Sequence, residues 1–306
     1  MFYLETKSNN PYYNLAFEDV VLQTAREGDY LMLWQNDNTI VIGSNQNTIA
    51  QINEDAVKKY NVNVVRRQTG GGAVYHDLGN LNYSFITDEA DEKIAFERFT
   101  TPIVNALNKL GLNASASGRN DILVEGKKVS GVAQKHLNKR VLHHGTLLFS
   151  ESLDMANEVL KVDKEKIKAK GVDSVRSRIT NIYGELEKIG KSMSLNEFWD
   201  YIKKELASDG VKEINLSKEQ LDKAKKLQKE KYETWEWNYG KSLAADVIEK
   251  KRIEGVGSFE LHIKTNHGII EDLRLYTDSM DTETDGYKIN ELIGQVYSAG
   301  IIDRII

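Results

Sequence analysis

The chain has 306 residues, 40% of them hydrophobic and 28% charged, with a formal net charge of −5 at pH 7. That balance describes a folded protein of one or two domains and favours neither nucleic acid nor an anionic membrane as the main partner. The absence of cysteine excludes disulfide scaffolds, thiolate zinc sites and cysteine nucleophiles. No apolar run reaches the ~18 residues of a membrane span. The opening MFYLETKSNNPYYN lacks the basic-then-apolar order of a secretory signal, so the expected location is cytoplasmic.

In chain order, 14–26 reads as a helix with Leu15, Val20 or Val21, and Leu22 on its apolar face, Asn14 as N-cap and Gly28 as its end. Residues 30–34 and 39–42 read as strands, with the polar quartet 35–38 as a hairpin turn. A short helix is expected over 53–59. The β-branched run 62–65 predicts a strand that delivers Arg66 and Arg67 to its end, and 81–85 predicts another. Apolar residues Ile94, Phe99, Ile103, Leu107 and Leu110 fall at helical spacing before Gly111. Strands at 122–124 and 129–133 flank a hairpin-like turn at 125–128, and 141–149 is a further strand. A helix is expected at 153–160. Residues 161–177, polar and lysine-rich, predict exposed, mobile structure. Amphipathic helices are expected at 195–206 and 216–227. Residues 241–257 read as a polar connector. Strands at 259–264 and 269–276 surround the turn signal Asn266-His267-Gly268, and 285–293 predicts a helix. These place a small α+β unit at 241–306 behind a larger one at 1–240.

The stretch RRQTGGGAVYHDLGNLNYSF (66–85) stands out. Three consecutive glycines cost backbone entropy and contribute no side chain, and the usual reason for them is close approach to the backbone. Two arginines beside them suit phosphate or carboxylate oxygens. The run lacks the GK[ST] ending of a Walker A loop, and it is not a GxGxxG opening a helix, because Ala73-Val74-Tyr75 leads towards a strand. It reads as a cradle for an anionic ligand. Asp121 at a strand start could hold Mg²⁺ or orient an amine. Lys128 precedes Val129-Ser130-Gly131 and could neutralise charge growing on a phosphate. His143-His144-Gly145-Thr146 lies in a strand, and no H-E-x-x-H spacing supports a transition-metal site.

The segments 66–85, GRNDILVEGKKVSGVAQ (118–134) and HHGTLLF (143–149) together closely resemble the lipoate–protein ligases of the biotin/lipoate ligase superfamily. Asn14-Leu15-Ala16-Phe17-Glu18, Leu33-Trp34-Gln35 leading to Gly43-Ser44-Asn45-Gln46-Asn47, 176–181 and Glu236-Trp237-Asn238-Tyr239-Gly240 extend the resemblance over nearly the whole chain. It implies an α/β fold of α+β type, a mixed β-sheet catalytic domain with a small α+β accessory domain, here shorter than the family's usual one. It further implies activation of lipoate with ATP to lipoyl-AMP, release of pyrophosphate, and transfer of lipoyl to a lysine of acceptor domains. These are the acyltransferase subunits of 2-oxoacid dehydrogenases and the glycine-cleavage H protein.

By position, the resemblance makes Arg67 a contact to the activated ligand and Gly72, Ala73, Val74 and Tyr75 the backbone lining the nucleotide. Lys128 becomes the catalytic lysine touching lipoate and phosphate. Asn80, Asp121 and His144 match further site positions, with Asp121 the candidate Mg²⁺ ligand, and Trp34 is a candidate wall for the dithiolane. Segment 176–181 resembles a loop that closes over the adenylate, and movement of 165–181 and 241–306 would shield it from water. The RRxTGGG form followed by Ala-Val-Tyr-His-Asp favours lipoate over biotin. Related transferases that pass the acyl group through a cysteine thioester are excluded by the composition.

Overall fold

Alternation at period two builds the main sheet and buries it on both faces. In the computed structural model, which describes residues 1–88, 92–118, 120–137, 139–161, 178–207, 210–240, 245–280, 287 and 289–306, without the side chains of 92–96, fourteen strands fall into three sheets. They are β1 (Phe2–Glu5), β2 (Tyr30–Trp34), β3 (Thr39–Ile42), β4 (Asn63–Arg66), β5 (Val74–His76), β6 (Asn80–Asp88) and β7 (Ala114–Ser117). Then come β8 (Asp121–Val124), β9 (Lys127–Leu137), β10 (Arg140–Leu148), β11 (Lys212–Glu213), β12 (Val247–Ile253), β13 (Gly257–Asn266) and β14 (Ile269–Thr277). The helices are α1 (Pro11–Thr24), α2 (Thr48–Gln51), α3 (Glu54–Lys59), α4 (Glu92–Lys109), α5 (Leu153–Val159), α6 (Ile182–Lys188), α7 (Leu195–Leu206), α8 (Lys218–Leu227) and α9 (Trp235–Asn238).

The main sheet runs β11-β1-β2-β6-β10-β9-β8-β7 and is mixed: β1 lies parallel to β2 and β11, and the remaining pairs are antiparallel. Leu31, Leu33, Leu81, Tyr83 and Phe85 point to one face and pack with Phe99, Ile103 and Leu107 of α4 and Phe198 and Ile202 of α7. Met32, Trp34 and Leu142 point to the other and pack with Leu15, Phe17 and Val21 of α1. A small sheet, β4-β3-β5, packs Ile40, Ile42, Val64 and Tyr75 against Ala56 of α3 and Val159 of α5. The third sheet, the meander β12-β13-β14, has its own core of Phe259, Leu261, Ile263 and Leu273 with Ile301 and Ile302.

Several local expectations change. Helix α1 begins earlier: Asn10 is the N-cap, its side chain accepting from the Tyr13 amide, and Pro11 fills the first helical turn, where a missing N–H costs nothing. Asn14 is instead buried, and its Nδ2 donates to Ser8 O, Gln35 O and Asn36 Oδ1, fastening the segment after β2 onto α1. The quartet 35–38 is therefore not a hairpin turn. It carries the chain from the main sheet to the small one, because β2 pairs with β1 and β6 whereas β3 pairs with β4 and β5. The turn after β8 is just Glu125-Gly126, both at positive φ, with the extra residue absorbed by a bulge at Ile122/Leu123. The connector 241–257 contains β12, whose alternation of half-buried and exposed residues is that of a one-sided strand. Of the helix expected at 285–293, the described part is a 3₁₀ turn over Ile289–Leu292. Residues 162–177, expected to be mobile, lie outside the described residues.

Arg66 is the structural rivet of the molecule. It is fully buried, and its guanidinium donates to Gly43 O at 2.8 Å, Gln46 O at 2.8 Å, Thr48 Oγ1 at 2.7 Å and Trp237 O at 3.0 Å. Its amide donates to Asn238 Oδ1 and its carbonyl accepts from Trp237 Nε1, both at 2.8 Å. Of the two arginines beside the glycines, this one is not available to a ligand. Its planar fork satisfies several carbonyls that a single ammonium cannot reach at once. Arg66→Lys is expected to cost on the order of 3–5 kcal/mol, read as a lower midpoint in urea unfolding; an unchanged midpoint would contradict this role.

Candidate functional site

Strand register assembles one face of the site. Trp34 lies opposite Asn82, and Asn82 opposite Thr146. One step along, Ser84 lies opposite His144, and His144 opposite Ala133. These residues alternate with the core positions Leu33, Tyr83 and Phe85, so they share the face turned towards α1 and the glycine loop.

A buried hydrogen-bond chain ties that face to the loop. Trp34 Nε1 donates to Ser84 Oγ at 2.8 Å, and Ser84 Oγ donates to Glu18 Oε1 at 2.5 Å. The Glu18 carboxylate also sits 3.0 Å from His144 Nδ1. A carboxylate only accepts, so Nδ1 carries a proton, and Nε2 is then free to accept from the Thr69 hydroxyl 2.8 Å away. Thr69 Oγ1 in turn accepts from Arg67 Nε at 2.9 Å. His76, also on the site, is pushed down by burial to a pKa of about 3 and is neutral; its Nδ1 takes a hydrogen bond from Asn36 Nδ2.

Arg67 has a different occupation from the one its sequence suggests. Besides Thr69, it donates to Val41 O, to Gly70 O at 2.6 Å and to Gly72 O at 2.9 Å. It holds the glycine loop in shape and lines a cavity at the same time. Four of the five N–H donors of a guanidinium are engaged among the described residues, which leaves one Nη1 hydrogen for a bound anion.

The three glycines have separate causes. A Cβ on Gly70 would lie 2.5 Å from Ser279 O and 2.8 Å from Met280 O, and Gly71 has φ +92° with Met280 Sδ 3.2 Å from its Cβ position. Gly71 N donates to Ser279 O at 2.9 Å, and Thr277 N donates to Asn45 O at 2.9 Å. The end of β14 is thus strapped across the loop, and the first two glycines admit the strap. Only at Gly72 is there no heavy atom within 4 Å of the Cβ position among the described residues, and Gly72 borders both cavities described next.

The first cavity, of about 150 Å³, is lined by Leu15, Trp34, Val41 and Val132 at its apolar part and by Arg67, His76, Asn82 and His144 elsewhere, with Met280 in its wall. The second, of about 270 Å³, lies between β5 and α5 and is lined by Tyr75, Leu148, Glu151, Leu153, Ala156 and Ile179 among others. The two meet at Gly72, Ala73, Val74, Lys128, Gly131 and Thr146. Lys128 Nζ pairs with Asp121 Oδ1 at 2.7 Å across the β8–β9 hairpin. Its main chain is held on both sides, N donating to Arg178 O at 2.7 Å and O accepting from Thr180 N at 3.0 Å. The described part of 176–181 therefore lies against Lys128, while 176 and 177 are outside the described residues.

The structure brings Trp34, Arg67, Gly72, Ala73, Val74, Tyr75, Lys128 and His144 to the two cavities. Asp121 joins through Lys128. Asn80 borders neither; it is fully buried and its Nδ2 donates to Asn82 Oδ1 at 3.0 Å, so it orients a lining residue. Sequence reasoning missed Glu18, Asn82, Glu151 and Met280 as parts of the site. Glu18 carried a weak signal, a carboxylate one helical turn beyond the Asn14 anchor, and Met280 carried none. Among the described residues no group of three His, Cys, Asp or Glu could hold a metal by itself, and no helix is long and apolar enough to cross a membrane.

Comparison with known proteins gives a consistent picture. Residues 10–207 match the family model for the lipoyl protein ligase A/B catalytic domain. Lipoate-protein ligase LplJ of Bacillus subtilis is 40% identical over 304 residues, covering 97% of this chain and 91% of that one. A lipoate-protein ligase A solved with ATP bound is 28% identical with a TM-score of 0.68, over 79% of this chain and 98% of that one. The P. falciparum protein LipL1, solved with lipoate, has the same fold at 24% identity, with a TM-score of 0.77 over 97% of this chain and 90% of that one.

The glycine loop separates two effects that can be measured. Gly70→Ala should lift the Ser279–Met280 strap, speeding hydrogen exchange at the Gly71 amide and lowering the melting temperature. Gly72→Ala, with open space around its Cβ position, should leave the melting temperature unchanged but obstruct whatever approaches that backbone. Equal stability losses in the two variants would contradict this division.

Proposed function

The chain belongs to the lipoate–protein ligase family, and we propose that it is an ATP-dependent member that activates lipoate to lipoyl-AMP and transfers the lipoyl group to a protein lysine. The observation that carries this reading is the junction of two unlike cavities on Lys128 and the Gly72–Val74 backbone. A narrow, mostly apolar slot suits an acyl tail, where each buried methylene is worth ~0.8 kcal/mol. A larger cavity beside it suits a nucleotide. Their shared wall is where a carboxylate and an α-phosphate would meet.

The first step joins a lipoate carboxylate oxygen to the α-phosphorus and breaks the bond from that phosphorus to the bridging oxygen, releasing pyrophosphate. Two anions must approach, so the barrier is largely electrostatic and falls to groups fixed beforehand. Lys128 is the group we assign to that charge. Its ion pair with Asp121 keeps some solvent exposure, and a triphosphate, carrying more negative charge than one carboxylate, competes for the ammonium. Its main-chain bonds to Arg178 and Thr180 keep the stem in place meanwhile. The remaining Nη1 hydrogen of Arg67 and the Gly72–Tyr75 backbone supply further donors. Mg²⁺ arriving on ATP needs only one or two protein carboxylates, and Asp121 is the one we assign. In the second step the amine nitrogen of the acceptor lysine attacks the acyl carbon and AMP leaves.

The acceptors that fit this reading are lipoyl domains of 2-oxoacid dehydrogenase acyltransferase subunits and the glycine-cleavage H protein. We place the boundary of the accessory unit after Gly240. The strap from Thr277 to Met280 lies beside the acyl slot, which supports a role for that unit in enclosing the adenylate.

Purified protein should release pyrophosphate with ATP and lipoate and not with biotin; no release with any acid would overturn the ligase reading. Lys128→Ala should slow release by about 10²–10³-fold, the usual range for removing one charge-stabilising group, with the melting curve unchanged. Normal turnover in that variant would remove Lys128 from the mechanism.

A further inference from the structure

Glu151 follows β10 in the loop before α5, and it lines the second cavity. It is 95% buried, at 5% relative exposure. Its backbone is clamped from both sides by Asn181, whose Oδ1 accepts from Glu151 N at 3.2 Å and whose Nδ2 donates to Glu151 O at 2.8 Å. The side chain has no such support: Oε2 is enclosed and has no hydrogen-bond partner among the described residues. A buried oxygen left this way is costly, so a group that the fold positions firmly but does not satisfy points to a ligand.

The surroundings narrow the ligand. Leu148, Leu153, Ala156 and Leu160 give the cavity an apolar wall beside Glu151, with Gln51, Asn157 and Lys161 also lining it. A flat base fits such a place better than a triphosphate. Strand β5 has β3 on one edge and no strand on the other among the described residues, so its open edge borders the same cavity.

Resting on the reading of this cavity as the nucleotide site, we propose that the Glu151 carboxyl recognises the base, taking the amino edge of a 6-aminopurine through two hydrogen bonds. Burial and the nearby Asp77 carboxylate hold Glu151 well above the usual carboxylate range, which favours its protonated form. Asp77 keeps its own charge satisfied, accepting from the Gly79 amide at 2.8 Å and the Ser152 amide at 2.9 Å. A neutral acid offers one acceptor and one donor side by side. Its carbonyl oxygen accepts from the exocyclic amine, and its hydroxyl donates to the adjacent ring nitrogen. A carboxylate, an acceptor only, could not satisfy that ring nitrogen. The terminal torsion of glutamate is soft, so the enclosed oxygen can turn to face a bound base.

Pyrophosphate release by the wild-type protein with lipoate and ATP tests the site reading by itself. The inference is then tested by a cycle in which ATP and purine riboside triphosphate, which lacks the 6-amino group, are compared in the wild type, Glu151→Leu and Glu151→Gln. In the wild type, removing the amino group should raise the nucleotide KM about tenfold, the scale of one to two hydrogen bonds. In Glu151→Leu, the KM for ATP should rise about tenfold and removing the amino group should then cost nothing more. Neither kcat nor the KM for lipoate should move. Glu151→Gln, whose amide also offers a donor beside an acceptor, should stay near the wild type. Additive losses in the cycle would overturn the proposal. So would a glutamine variant as impaired as the leucine one, because the group would then act as an anion on a metal or the ribose. If melting shows that leucine disturbs the fold, Glu151→Met carries the same cycle with a longer apolar chain.

Discussion

The Glu18 carboxylate on α1 is the constraint on which the site depends. Buried charge without partners is costly, and Glu18 is satisfied only if Ser84 and His144 stand where the main sheet puts them. Ser84 then fixes the indole of Trp34, and His144 fixes Thr69 and through it Arg67. One carboxylate thereby aligns the wall of the first cavity with the glycine loop. A shift of one residue in the register between β6 and β10 would turn Ser84 and His144 to opposite faces and break this chain at its centre.

The glycine loop is shared between two masters. Gly70 and Gly71 make room for the strap from β14, and Gly72 makes room at the junction of the cavities. The strap also puts Met280 into the wall of the first cavity. The C-terminal sheet, with its own core, is therefore mechanically connected to the loop, and a ligand that displaces the loop backbone must also disturb the strap. The paired arginines divide in the same manner. Arg66 ties the base of the loop to 237–238, whereas Arg67 holds the loop carbonyls and keeps one donor free among the described residues.

Lys128 is held firmly in its main chain and loosely in its side chain. Two backbone hydrogen bonds tie it to Arg178 and Thr180, and among the described residues its ammonium is tied by the ion pair with Asp121. That restraint suits the role proposed for Lys128, since a weakly held resting partner would subtract little from an interaction made in the transition state.

The sequence by itself determined what is local. The strand that brings Arg67 to the glycines, the hairpin that presents Lys128 and the period-two runs of the main sheet are each written within a few consecutive residues, because turn chemistry and side-chain alternation act at that range. Only tertiary structure decided the partners. Alternation tells that Ser84 and His144 face one side but not that they are opposite each other, and the choice between pairing β2 with β3 or with β6 lay in the Asn14 anchor. Glu18 and His144 are 126 residues apart, and Arg66 and Asn238 are 172 apart; hydrogen bonds across such separations leave no pattern in the neighbouring sequence. For the same reason the glycines read as a cradle for a ligand alone, when two of the three answer to a strand end some two hundred residues further along the chain.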